Sequence, residues 1–318
     1  MWADAVIEGG GVKVIGLVGA LKVAEQKGFR FKRLAGTSAG SIVATLLAAG
    51  YTSDELFQIL LEKDLSTLVQ PTWYSRIPYL GPAYRLWVKK GLNSGIHIEQ
   101  WIDELLQAKG IRTFADFDAE IELSIIASDI TLGNLLVLPQ DLQTYGYTKE
   151  QFSVARAVRM SCSIPFFFDP VRLVHKPSNR RCYIVDGAIL SNFPVWIFDK
   201  ENPRWPTFGF RLFSGENQPV HEIEGPFSLF YSMFLTMMDA HDNRHIREQD
   251  QVRTIMVPTL GVKLTDFSIS RRGKERLFQA GVKAAEQFFQ SWSFEEYLQA
   301  RGKTIYKIRS SRDKQEED

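Results

Sequence analysis

Along the first fifty residues the apolar positions switch between two spacings. Ala5-Val6-Ile7 is a continuous apolar run broken by Glu8-Gly9-Gly10-Gly11, which predicts a short buried strand. Val14, Leu17, Val18, Leu21 and Val23-Ala24 then recur at near-helical spacing up to Gly28, so a helix follows the glycines. Phe31 to Ala35 predicts a second strand. Ile42 to Ala49 predicts a buried helix that Gly50 closes in the left-handed conformation. Strand, helix, strand, helix in this order argues for a parallel sheet covered on both faces.

Further on, Thr52-Ser53-Asp54-Glu55 is a capping box opening a helix to about Lys63. Ile98 to Gln107 reads as an amphipathic helix ending near Gly110. Glu122 to Ser128 reads as a strand, turned by Thr131-Leu132-Gly133-Asn134 and returning antiparallel over Leu135 to Leu138. Ser153 to Met160 is helical in pattern, and Arg181 to Val185 is another buried strand, ending at Asp186-Gly187-Ala188. Thr207 to Leu212 and Thr254 to Val257 are further strands. Phe227 to Met238 is almost uninterruptedly apolar and too short to span a bilayer, so it is expected to be a core helix or one wall of an apolar cleft. Arg271 to Trp292 is expected to be a long surface helix, and Ser310 to Asp318 a frayed charged end. No repeat or linker divides the 318 residues, so a single domain over 1–318 is expected. Its motif-bearing core covers about 4–200, and 201–318 completes the fold.

Composition narrows the function classes. A formal net charge of +1 gives no global field toward nucleic acid. Two cysteines, Cys162 and Cys182, make no disulfide framework and suit a reducing, cytoplasmic setting. Met1-Trp2-Ala3-Asp4 leads into the first strand without the basic start of a signal peptide. Residues 71–91 stand apart, with Trp73, Tyr74, Tyr79, Tyr84 and Trp87 interleaved with basic residues and broken by Pro71, Pro78 and Pro82. That mixture suits peripheral contact with a membrane interface or a lid, and equally a proline-broken connection packed on the body. Stacking on single-stranded nucleic acid uses similar residues, but the balanced charge argues against it.

The chemistry centres on Gly36-Thr37-Ser38-Ala39-Gly40, a G-x-S-x-G sequence between a strand and a helix. A serine at such a turn is raised from the sheet in a strained conformation, and glycines on either side let strand and helix approach. A serine hydroxyl is a weak nucleophile at neutral pH and needs a base and a trap for the oxyanion. Gly9-Gly10-Gly11 leaves backbone N–H groups free to converge on an anion, and the Ala39 N–H lies next to the nucleophile. The same glycines fit a dinucleotide fingerprint only at Gly9 and Gly11, since position 14 is Val14 and no acid ends the second strand. For the base, none of His97, His175, His221, His241 and His245 lies at a strand end. His241-Asp242-Asn243-Arg244-His245 lacks the glutamate and third ligand of a zinc site and reads as a solvated helix end. Asp186 follows a buried strand and precedes two small residues, which places a carboxylate at the sheet edge where α/β active sites lie. Partial desolvation there raises its basicity.

Together, the G-G-G turn after the first strand, G-T-S-A-G at 36–40 and D-G-A at 186–188 resemble the patatin-like phospholipases. Ser163-Ile164-Pro165-Phe166-Phe167-Phe168-Asp169-Pro170-Val171 is similar to that family's S-x-P-x-x-F-x-P-V stretch. The resemblance runs from about residue 4 to residue 200. It implies a three-layer α/β/α fold with a central, mostly parallel sheet. It also implies a Ser–Asp dyad with Ser38 as nucleophile and Asp186 as proton acceptor, motif residues Gly36, Gly40, Gly187 and Ala188, and an oxyanion hole of Gly9, Gly10, Gly11 and the Val12 N–H. The implied reaction is hydrolysis of phospholipid, lysophospholipid or neutral-lipid esters through an acyl-serine, with no metal and no cofactor. One departure stands out: the family reads G-G-G-x-[KR]-G, and here Lys13 is followed by Val14. A valine disfavours positive φ and adds bulk beside the glycine loop. The alternative is therefore a lipid- or partner-binding protein on the same fold with weak or lost catalysis.

Overall fold

A computed structural model describes residues 1–69, 80–200, 202–214, 223, 225–245 and 248–300. The first strand, β1 (Trp2–Ile7), runs into a single 3-10 turn at Gly11–Lys13 and then α1 (Val14–Gln26). After it come β2 (Arg30–Thr37), α2 (Ala39–Ala48) and α3 (Ser53–Glu62), the last opened by the expected capping box at Thr52 and Glu55. Next are α4 (Leu80–Lys89), β3 (Gly91–Asn93), α5 (Ile96–Gln107), β4 (Glu122–Asp129), β5 (Asn134–Leu138) and α6 (Val154–Ser161). The remainder is β6 (Phe166–Phe168), β7 (Val171–His175), β8 (Arg180–Asp186), β9 (Thr207–Phe213), α7 (Pro226–His245), α8 (Glu248–Gln251), β10 (Thr254–Pro258) and α9 (Arg271–Ser291). Within 71–91, residues 71–79 lie outside the described residues, as does 310–318.

The main sheet has the order β10-β9-β1-β2-β4-β8-β7, with β5 also paired to β4. β10, β9, β1, β2 and β4 are mutually parallel, whereas β5, β8 and β7 add antiparallel pairs. The result is a mixed, mostly parallel sheet flanked by helices. Its parallel strands are buried along most of their length, as sheets covered on both faces require. The turn back from β4 into β5 is the antiparallel return expected from the sequence.

Two helices differ in part from expectation. α9 is not merely a surface helix: Leu277, Phe278, Gly281 and Ala285 are buried against α1. A Cβ on Gly281 would meet the Gly16 carbonyl oxygen at 1.7 Å, so the two helices touch backbone to backbone. α7, in turn, joins the core on one face only. Phe234 and Met238 are buried, but Leu229, Phe230, Met233 and Met237 face outward. Among the described residues the helix packs mainly on the turn after Asp186 and on β6, which leaves its opposite face uncovered.

The strand β7 had no counterpart in the sequence reading. Its Val171 and Leu173 point inward and Arg172 and Val174 outward, a five-residue edge alternation too short to stand out beside Pro170.

Candidate active site

Register brings the two ends of the site together. On one edge, β4 pairs with β5 over Ile125–Asp129. On its other edge, Ile126 pairs with Thr37 of β2 and the next residue, Ala127, pairs with Asp186 of β8. Because β2 is parallel to β4 and β8 antiparallel, the two strands share that edge and meet end to end. Ser38 follows the tip of one and Asp186 is the tip of the other, so chain segments far apart in sequence meet in one place.

Ser38 is held at φ 52 and ψ −129, between β2 and the first residue of α2, and is 6% exposed. Such a backbone costs on the order of 1–3 kcal/mol and persists only where its surroundings enforce it. Enforcement is visible. A Cβ on Gly36 would lie 2.3 Å from the Gly40 carbonyl oxygen, and one on Gly40 would lie 2.3 Å from that of Ile7. The Ser38 N–H donates to Ser161 Oγ at 2.9 Å, and the Ser161 hydroxyl donates to the Ile126 carbonyl. Ser41 Oγ donates to the Ser38 carbonyl at 2.6 Å, and Thr37 Oγ1 to that of Ser191 at 3.1 Å.

The same short stretch braces the acid, since the Asp186 N–H donates to the Ser163 carbonyl at 2.9 Å. Ser161-Cys162-Ser163 thus fixes both ends of the site. The sequence reading singled out the S-I-P motif starting at Ser163 but missed Ser161, two positions earlier.

Asp186 is fully buried. Its Oδ1 accepts the Ala188 N–H at 2.9 Å, while Oδ2 has no hydrogen-bond partner among the described residues. Desolvation pushes its pKa up to about 7, against smaller opposing pulls from the Ala188 N–H and the neighbouring Ser38 hydroxyl. The carboxyl therefore titrates near neutrality instead of in the acid range. Gly187 is needed after it because a Cβ there would meet the Ile126 carbonyl oxygen at 2.4 Å. Cys162 also lies in the site, but burial first and the Asp186 charge second push its thiol far above its ordinary range. It stays a neutral thiol and does not compete as a nucleophile. Neither Ser38 nor Asp186 has a histidine as a hydrogen-bond partner among the described residues. His175 is tied to Ser178 at 2.7 Å, and the side chains of His221, His241 and His245 lie outside the described residues.

Gly9-Gly10-Gly11 passes directly beside Ser38: a Cβ on Gly9 would be 3.0 Å from Ser38 Cβ. Gly11 has φ +55, and a Cβ there would meet the Leu264 carbonyl oxygen at 2.0 Å. Not every amide in the loop is available. The Val12 N–H donates to the Leu264 carbonyl at 3.2 Å, and the Gly9 N–H makes a long bond of 3.4 Å to that of Asn192. Among the described residues, the Gly10 and Gly11 N–H groups donate to no backbone or side-chain acceptor. Of the four amides expected to line an oxyanion hole, Val12 is therefore already committed, because the chain after β10 returns to cover it. Asn192, buried and absent from the sequence reading, also holds the loop, with Nδ2 donating to the Gly9 carbonyl at 3.3 Å.

Val14 needs no positive φ. It begins α1 at φ −56 and ψ −21, an ordinary helical conformation that demands no glycine. Its side chain is buried in the wall of a narrow apolar cleft beside Ser38 with a free volume of about 60 Å³. Val43, Leu60, Leu68, Ile98, Trp101 and Phe168 also line it. Ser38 is almost the only polar group in this wall. No cluster of three or more His, Cys, Asp or Glu suited to a metal ion occurs among the described residues.

An α/β sheet carrying a strained serine elbow, a buried carboxyl and an apolar cleft defines a class of serine hydrolase-like folds. Comparison with known proteins specifies it further: the family model for patatin-like phospholipase matches residues 5–199, and the chain belongs to that family. It is 45% identical over 299 residues to the uncharacterized protein YqhO of Bacillus subtilis (strain 168), covering 92% of this chain and 100% of that one. It is also 28% identical over 225 residues to the probable lipid hydrolase 463L of Invertebrate iridescent virus 6, covering 68% of this chain and 72% of that one. Among solved structures it is similar to VipD from Legionella pneumophila, with a TM-score of 0.52 at 19% identity, covering 91% of this chain and 66% of that one. That likeness is one of fold.

Proposed function

We propose that this protein is a lipid acyl hydrolase, of phospholipase A or lysophospholipase type, working through a Ser38–Asp186 dyad. The observation that supports the reading is the end-to-end meeting of β2 and β8, which brings Ser38 and Asp186 to one edge of β4, the buried carboxyl having one oxygen without a hydrogen-bond partner among the described residues. Family membership and the relative named as a probable lipid hydrolase support the substrate class. In the first step Ser38 Oγ attacks the ester carbonyl and its proton passes to Asp186. The Gly10 and Gly11 N–H groups, joined by that of Ala39, receive the negative charge on the carbonyl oxygen. Collapse expels the alcohol, which takes the proton from Asp186. Water then gives a proton to Asp186 and attacks the acyl-serine, and the fatty acid leaves as Ser38 Oγ takes that proton back from Asp186. The acyl chain lies in the apolar cleft. The binding-only alternative rested on Val14 and on 71–91. Val14 has an ordinary helical φ, and of 71–91 the side chains up to residue 84 lie outside the described residues.

The test is fatty-acid release from phosphatidylcholine and lysophosphatidylcholine micelles by wild type and Ser38→Ala. Release by wild type and loss in the variant support the reading, and release that persists undiminished in Ser38→Ala rejects it. The same assay yields a pH profile. A base must be ionised, and Asp186 ionises at about 7, so kcat/KM rises through one ionisation near pH 7 and levels off above it. A profile flat between pH 5 and pH 9 would show that Asp186 is not the base.

Cleft length sets a further expectation. Trp101 is a large, buried side chain in the apolar wall. Trp101→Ala removes that volume, so the ratio of kcat/KM for long-chain over short-chain p-nitrophenyl esters rises by about tenfold, the worth of one or two methylenes of burial. An unchanged ratio would place the acyl chain elsewhere.

A further inference from the structure

The outward face of α7 is one side of a larger surface. Leu229, Phe230, Met233 and Met237 form a stripe at helical spacing, and Met233 is 51% exposed. Phe166 continues it, 40% exposed, held at φ 64 and stacked on Phe230 at 4.5 Å between ring centroids. Its loop also forms the cleft, since Ile164 and Phe168 on either side of Phe166 line the wall beside Ser38. The stripe therefore borders the candidate active site.

Beyond Phe166 the surface becomes basic. Phe166 pairs with Gly91, directly after Lys89 and Lys90 at the end of α4, where Trp87 is 86% exposed. A hollow between α4, α6 and β7 gathers Lys89, Arg156, Arg159 and Arg172. Its two acids are internally matched, Glu99 by Arg159 at 2.9 Å and Asp169 by Arg85 at 2.8 Å. Lys89, Lys90, Arg156 and Arg172 are in no ion pair among the described residues. Lys90 and Arg172 both lie over the Tyr183 ring, at 5.3 and 5.9 Å.

A soluble protein rarely leaves so many contiguous large apolar side chains in water without a use. An apolar stripe beside the cleft mouth, continuous with exposed tryptophan and unmatched cations, fits one occupant by hydrophobicity and charge together: a lipid surface bearing anionic headgroups. We propose that the α7 stripe, Phe166 and the Lys90–Arg172 rim form the face on which this protein adsorbs to an anionic lipid surface, with the cleft mouth turned toward the lipid. The proposal deepens the acyl-hydrolase reading and rests on it for the purpose of adsorption, but not for the adsorption itself.

The experiment separates the two. Full-length wild type, Lys90→Glu/Arg172→Glu and Phe230→Ser/Met233→Ser are cosedimented with vesicles of phosphatidylcholine alone or mixed with phosphatidylglycerol. Turnover of soluble p-nitrophenyl butyrate is measured in parallel. Wild type is expected to bind the mixed vesicles about tenfold or more tighter than phosphatidylcholine, since each cation near such a surface contributes severalfold. The charge-reversed variant is expected to lose that preference, and the α7 variant to weaken by about tenfold on both vesicles. All three are expected to keep wild-type turnover of the soluble ester, which also verifies folding. Should the α7 variant fail to fold, the charge-reversed pair still decides. Wild-type binding by the charge-reversed variant overturns the proposal, as does an α7 variant whose effect is a change in oligomeric state, which would make the stripe an interface between copies. An absence of ester turnover together with the expected vesicle binding would reject the hydrolase reading and leave the docking face standing.

Discussion

On the proposed Ser38–Asp186 dyad, replacing Asp186 by asparagine is expected to lower the rate of fatty-acid release by about a thousandfold or more and, at the same time, to stabilise the protein above pH 7. The rate effect follows from removing one member of a cooperating pair, where loss of either costs nearly as much as loss of both. Asparagine keeps an oxygen for the Ala188 N–H that Oδ1 accepts at 2.9 Å, so the turn after β8 is retained. What the proposed mechanism loses is the group that takes the Ser38 proton. The stability effect follows from burial. Desolvation holds the folded carboxyl near 7, whereas an unfolded aspartate ionises near 3.9. Between those values the folded state keeps a proton that the unfolded state has lost, so wild-type stability falls as pH rises through the window and is lowest above 7. Three pK units correspond to at most roughly 4 kcal/mol. The asparagine variant never carries the buried charge and escapes that loss. Thermal unfolding from pH 4 to pH 9 should give Asp186→Asn the higher Tm at pH 8, with the gap closing toward pH 4. Equal Tm values at pH 8 would mean that the carboxyl is not held against its charge. Such an opposition of stability and activity is what a buried, under-bonded base requires.

Gly11→Ala is the second large effect. The new Cβ would sit 2.0 Å from the Leu264 carbonyl oxygen, on a backbone at φ +55 that L side chains rarely adopt. The clash is with main chain on one side and with the loop itself on the other, so the glycine turn must move. The Gly10 and Gly11 N–H groups move with it, away from the Ser38 hydroxyl. Loss of one aligned oxyanion donor costs about 10²–10³ in rate, and here two are displaced together. The expected outcome is a fall in kcat of that size or larger, with a folded protein whose Tm drops by a few degrees. Retention of kcat within about threefold would show that the charge on the substrate is received elsewhere.

The serine elbow was legible in the sequence because it is local. Gly36, Ser38 and Gly40 are within five residues, although only the demand on Gly36 is local, that on Gly40 coming from the Ile7 and Glu8 backbone. Asp186 was legible as a strand end before two small residues, but its relation to Ser38 was not. That relation depends on β2 and β8 sharing one edge of β4, a matter of register between segments some 150 residues apart that no single stretch encodes. Nor could the sequence show that the Val12 N–H is taken by Leu264, since that bond is made by a chain segment arriving from the far end of the sheet. Val14 looked like a defect because the family pattern has glycine there, but position 14 has helical φ and serves the cleft wall. That α7 buries only one face was not legible, because an uninterrupted apolar run gives no period, and only its partners decide which face is covered.

The most direct measurement of the central claim is the mass of the protein after treatment with a fluorophosphonate, followed by peptide mapping. If Ser38 is a nucleophile activated by Asp186, wild type takes up one equivalent, the adduct maps to the peptide containing Ser38, and Ser38→Ala takes up none. Labelling of Asp186→Asn is slowed by about a hundredfold or more, because the serine loses its base. A folded wild-type protein that remains unlabelled, or an adduct that maps away from Ser38, would contradict the account.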